Sequence, residues 1–143
     1  MADVTAIQQA KKWIYDSLAA DTALVAILST RIYADRVPPA PAFPYVLYNL
    51  MAGTDIQGVG TQREASSAIF QIRVVTYGAP DTNARKADYR IDQVFSAAKN
   101  VLSGDFRYTS WRSDTIDRAE YDQLANKQYH NLGGLYRVWI QSV

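Results

Sequence analysis

The chain has 143 residues, 48% of them hydrophobic and 20% charged, close to globular averages, so neither a disordered nor a fibrous chain is expected. Fifteen basic and 14 acidic side chains are mixed along it, leaving a formal charge of +1, which argues against a dedicated binder of nucleic acid or anionic membrane. It has no cysteine, which excludes disulfides, thiolate metal sites and a cysteine nucleophile.

A chain of this size buries roughly two thirds of its unfolded surface, enough for one core, and a single domain over residues 1–143 is expected. Polar residues Asp3, Gln8, Gln9, Lys11 and Lys12 interrupt the N-terminal region, so it does not read as a signal peptide. No apolar run approaches the ~20 residues that span a bilayer, and synthesis in the cytoplasm with no membrane partner is the expectation.

From Asp3 as N-cap, Ile7, Ala10, Ile14 and Leu18 recur at helical spacing and predict an amphipathic helix. Asp21 caps a second, shorter helix through Leu24, Ile27 and Leu28, ending before Arg31. Arg31-Ile32-Tyr33 reads as a short strand. The prolines at 38, 39, 41 and 44 lack the backbone donor that a helix interior or central strand needs, so residues 38–44 form a stiff connector.

Residues 45–51 read as a strand that is apolar on both parities, with Val46 and Leu50 against Leu47 and Met51, so both faces need cover. Residues 52–67, with Gly53, Gly58 and Gly60, read as a long excursion. Residues 69–77 return to strand, with Phe70, Ile72 and Val74 on one face.

A helix capped by Asp81, Thr82 or Asn83 follows, its stripe running through Ile91, Val94, Phe95, Ala98, Val101 and Leu102, with Lys99 in the last turn and Gly104 as its stop. Residues 106–121 read as a polar strand and 135–142 as a final strand with Tyr136, Val138 and Ile140 on one parity; residues 122–134 form a second polar loop. The order α-α-β-β-β-α-β-β predicts an α+β fold: a mixed or mostly antiparallel sheet of four to five strands with about three helices on one face.

Chemistry is sparse. The single histidine, His130, falls in the second loop, and no G-x-S-x-G pattern accompanies it, so a solvated or interface role is expected over a hydrolytic relay. Asp114, Asp117, Glu120 and Asp122 form one carboxylate cluster, with Asp117 on the opposite strand face from the others. That spacing does not converge oxygens on a cation, and a solvated, ion-paired strand edge is expected. Gly58-Val59-Gly60 fails the dinucleotide pattern, because Arg63 replaces the third glycine and a strand follows. Arg107-Tyr108 and Trp111-Arg112 interleave bases with aromatics, yet ordinary amphipathic strands do the same. Neither a catalytic residue nor a cofactor or metal site is expected.

Two polar loops, a sheet covered by helices on one face, ten tyrosines and three tryptophans point to protein association as the function. Ile56, Val59, Gln62 and Arg63 on the first loop, with Tyr129 and His130 on the second, are the expected contacts to a neighbouring protein.

The N-terminal helix, the second helix, Arg31-Ile32-Tyr33, the proline connector and Phe43-Pro44-Tyr45-Val46 opening a strand occur in an order that resembles the tail-terminator or tail-completion family of long-tailed bacteriophages. The resemblance continues through the strand ending at Tyr77, the next helix and the closing strand. It implies a homohexameric ring at the head-proximal end of the tail tube, in the virion at the tail-neck junction after assembly in the host cytoplasm. Its implied partners are other copies of itself, the tail-tube protein and a head-completion or neck protein, with DNA passing through the ring without specific binding. Arg31, Tyr33, Pro44, Tyr45 and Val46 carry over as structural positions only. A head-closure or neck protein is the alternative within the virion; a small hydrolase or a nucleic-acid-binding module is the alternative outside it.

Overall fold

The structure is a computed structural model that describes residues 4–57 and 63–142. Three helices, α1 (Val4–Ala20), α2 (Thr22–Leu28) and α3 (Thr82–Ser96), accompany six strands. These are β1 (Ile32–Ala34), β2 (Tyr45–Gln57), β3 (Arg63–Tyr77), β4 (Val101–Ser103), β5 (Phe106–Asp122) and β6 (Lys127–Ser142). They form one sheet in the order β1-β2-β3-β6-β5-β4, in which β1 lies parallel to β2 and every other pair is antiparallel. The α+β class and mixed sheet agree with the sequence; the strand number is six, not four to five.

The sixth strand comes from what reads as the end of the third helix. α3 stops at Ser96 with Ala97 as its cap, and Asn100 takes the left-handed conformation at φ 51°. Ala98 O accepts from Ser110 N at 3.1 Å and Thr109 Oγ1 accepts from Asn100 N at 3.0 Å, so β5 draws the chain out of the helix and onto its own edge. Ala98 stays buried, but Val101 and Leu102 leave the helical stripe for an exposed edge strand. Gly104, at φ +61°, serves the β4–β5 turn instead of stopping a helix.

Both long loops shorten into hairpins. β2 and β3 pair as far as Gln57 and Arg63, and β5 and β6 pair as far as Asp122 and Lys127, leaving residues 123–126 as the turn. Backbone pairing needs no apolar side chain, so polar sequence that projects beyond the core remains strand.

Helix starts follow their capping chemistry. Asp21 Oδ1 accepts from Leu24 N at 3.1 Å and Asp81 Oδ1 from Ala84 N at 2.7 Å, each satisfying a first-turn donor. The expected cap Asp3 lies outside the described residues. The core sits between α1, α3 and one face of the sheet, where Ala10, Ile14, Leu18, Ile91 and Phe95 meet Val46, Phe70, Ile72, Val74, Tyr136, Val138 and Ile140. Trp13 stacks on Tyr108 at 4.6 Å and meets Phe95 edge-on at 5.5 Å, joining α1, α3 and β5.

One charge enters this layer. Arg112 Nη2 donates to Asp88 Oδ1 at 2.6 Å and to the Tyr136 hydroxyl at 2.6 Å, fixing α3 to β5 and β6 through a paired and hydrogen-bonded guanidinium. Burial pushes the Tyr136 hydroxyl well above the usual tyrosine range against the pull of Arg112, so it stays protonated.

Candidate assembly surface

The sheet face opposite the helices carries Leu47 on β2, Gln71, Arg73 and Val75 on β3, Asn131, Leu135, Arg137 and Trp139 on β6, and Asp114, Ile116 and Arg118 on β5, aligned by register. Leu47, Val75 and Asn131 are buried on this face although they stand outside the helix-facing core. Their cover is local and aromatic. Phe43, in the proline connector, lies against Tyr45 at 5.4 Å, Tyr129 at 5.8 Å and Tyr77 at 6.0 Å, and Tyr33 meets Tyr45 at 5.8 Å. The connector thus folds across β2, β3 and β6 at one end of the face, and Tyr77 remains 56% exposed at its rim.

Beside this group, Arg73 Nη1 donates to Asn131 Oδ1 at 3.3 Å and lies 3.9 Å from Glu120 Oε1. The close approach depends on Gly133: a Cβ there would fall 2.6 Å from Arg73 Cα and 2.1 Å from Ile72 O. Arg73 Nε and Asn131 Nδ2 are buried with no hydrogen-bond partner among the described residues. A buried donor left unpaired costs about 1–3 kcal/mol. Burial raises the Tyr45 hydroxyl above its ordinary value despite the opposing field of Arg73, so it too remains protonated. The accessible part of this end is its aromatic rim, which suits binding.

The residues expected at an interface divide. Ile56 and Arg63 sit in β2 and β3 at the end of their hairpin, while Val59 and Gln62 lie outside the described residues. Tyr129 joins the aromatic group, facing Tyr77 at 5.9 Å. His130 is not in a loop: it pairs with Ala119 and Thr76 across β6, and its Nε2 contacts Asp117 Oδ1. The Thr76 hydroxyl, on the residue paired with His130, has no hydrogen-bond partner among the described residues, so it is not linked to the ring. Among the described residues, no group of three or more His, Asp or Glu side chains is placed to hold a metal ion, and no helix is long and apolar enough to cross a membrane.

Of the remaining carboxylates, Glu120 pairs with Arg118 at 3.0 Å and Asp122 Oδ1 caps the turn, accepting from Leu124 N at 3.1 Å. Sequence reasoning did not single out Arg73 or Asn131. The available signal was the Gly133-Gly134 pair inside a strand pattern, which marks close backbone approach. The five structural positions cluster: Arg31 bonds the Pro44 carbonyl, Tyr33 packs on Tyr45, and Val46 N donates to Arg31 O at 3.0 Å.

Residues 12–132 match the family model described as "Tail completion protein gp17". Among solved structures, a chain from the virion of a native gene transfer agent particle shares the fold, with a TM-score of 0.62 and 22% identity over 90% of this chain and 92% of that one. No curated protein matches. With the family model spanning most of its length, the chain belongs to the tail completion protein gp17 family and is a structural, tail-associated virion protein.

Proposed function

We propose that the chain forms a homohexameric ring on the head-proximal end of the phage tail tube, where it ends tube polymerisation and presents the joining surface for the head or neck. The observation that carries this reading, beside family membership, is the helix-free sheet face, which ends in the aromatic group of Phe43, Tyr45, Tyr77 and Tyr129 with Tyr77 56% exposed at its rim. Termination is geometric: one side of the ring matches the tube, and the other offers the next tube subunit no complementary surface. No catalytic step is part of the role, and DNA passes through the lumen without specific contacts.

Ile56 and Arg63 at the facing ends of β2 and β3, with Val59 and Gln62 between them in sequence, and Tyr129 and His130 on β6 are the proposed contacts to tube or neighbouring subunit. Electron microscopy of the protein mixed with its tail-tube protein tests the reading: rings at one end of length-limited tubes are expected, and tubes that grow unchecked with bare ends overturn it. Deleting residues 58–61 should weaken capping while leaving the fold intact.

A further inference from the structure

Two strands of the sheet keep long stretches of unpaired edge. β1 covers β2 only from Val46 to Tyr48, so residues 49–57 have, among the described residues, a strand partner on one side alone. β4 covers β5 only from Phe106 to Tyr108, and the Asn100 and Ala98 contacts end at Ser110, so residues 111–122 are equally open on the side away from β6. Open edges are templates for another chain.

Neither stretch is guarded against pairing. Residues 49–57 contain one charged side chain, Asp55. Along residues 111–122, five of six charged groups are engaged within the chain: Arg112 with Asp88, Asp117 with His130, Arg118 with Glu120, and Asp122 with the turn amides. Charges held by partners within the chain are less free to turn away an incoming strand than unengaged ones.

We infer that these edges pair with each other between copies, β2 of one subunit adding antiparallel to β5 of the next; this rests on the ring reading above. The occupant is a second copy because the edges border opposite sides of one sheet and run in opposite directions, so each supplies what the other lacks. Unlike edges pair head to tail, the arrangement that closes rings.

Register supplies a second argument. Asn49 is level with Asp114 through Gln71 and Leu135, and Ile56 with Arg107 through Ala65 and Gln141. The open halves are thus diagonal, and bringing them together displaces each copy by about five to eight residues, roughly 17–26 Å. Four strands lie between one such junction and the next, roughly 19 Å of sheet. At the smaller offsets the strands lean by about 40°, within the 35–45° at which sheets close into barrels.

The unmodified chain has no cysteine, so engineered thiols report cleanly. In the expected register Thr54 faces Asp114 or Ile116 of the neighbour. Mixed with tail-tube protein and oxidised, the double variant T54C/D114C or T54C/I116C should give a ladder of covalent multimers, while each single variant gives none. Hydrogen exchange on the unsubstituted protein needs no variant to fold: amides in residues 49–57 and 111–122 should slow when rings form. Rings at tube ends with neither cross-linking nor slowed exchange overturn edge pairing and leave the ring reading standing; tubes with no rings overturn both.

Discussion

The Arg31 guanidinium bridges two segments that sequence separates: its Nε donates to Pro44 O at 2.8 Å, and its Nη2 donates to Ile27 O at 2.9 Å. One side chain thereby satisfies a carbonyl at the end of α2 and fixes the connector where β2 begins. The geometry needs a planar fork, which lysine does not have. Arg31→Lys should lose about 1–2 kcal/mol in urea unfolding, one to two hydrogen bonds' worth. A variant as stable as the parent would show that the bridge contributes nothing.

Gly133 is held by contact and not by backbone angle. A methyl there would meet Ile72 O at 2.1 Å, and backbone on β3 cannot move aside without breaking the β3–β6 ladder. Gly133→Ala should therefore cost more than about 3 kcal/mol, above the ordinary range of single substitutions. Gly78→Ala is the contrast: nothing lies within 4 Å, and its φ of +78° alone should cost about 1 kcal/mol. Thermal melts of the two variants compare packing with conformation directly.

Elements with strong periodicity were legible from sequence. The α1 stripe and the Phe70, Ile72, Val74 and Tyr136, Val138, Ile140 alternations are all buried as the periods require. Strand ends were not legible, because residues 52–57 and 127–134 are held by ladder bonds that polar side chains neither favour nor forbid. β4 was hidden for a different reason: Val101 and Leu102 continue a helical period, and tertiary bonds of Ala98 and Asn100 to Ser110 and Thr109, with the β4–β5 ladder, take them into the sheet. The Arg73–Asn131 contact joins residues 58 positions apart, so no local pattern could announce it.

Asp21 couples the start of α2 to α3. Its carboxylate accepts from Arg90 Nε at 2.8 Å, and that hydrogen bond, opposed by burial and aided by the Leu24 amide, holds its pKa below the usual 3.8. A carboxyl whose folded pKa is depressed contributes stability above its unfolded pKa and loses it as pH falls through the folded value. Asp21→Asn should be less stable than the parent at pH 7, and the gap in urea midpoint should narrow below about pH 4. A gap independent of pH would mean that the carboxylate's charge contributes nothing, since asparagine keeps the cap.

Tyrosine ionisation probes the opposite sign. Burial pushes Tyr48 and Tyr108 up to about 12, and Tyr136 higher. A phenol whose folded pKa is raised contributes stability that is complete below its unfolded pKa of about 10 and is lost as pH rises through the folded value. In the unfolded chain all ten tyrosines should ionise together near pH 10. In the folded protein, absorbance at the phenolate band should lag, with these three still protonated at about pH 11. Alkaline unfolding should then release them at once. Tyr108→Phe should reduce the delayed amplitude without unfolding the protein, since its ring, stacked on Trp13, keeps its packing without the hydroxyl. A folded-state titration that superimposes on the unfolded one would mean that water reaches all three hydroxyls.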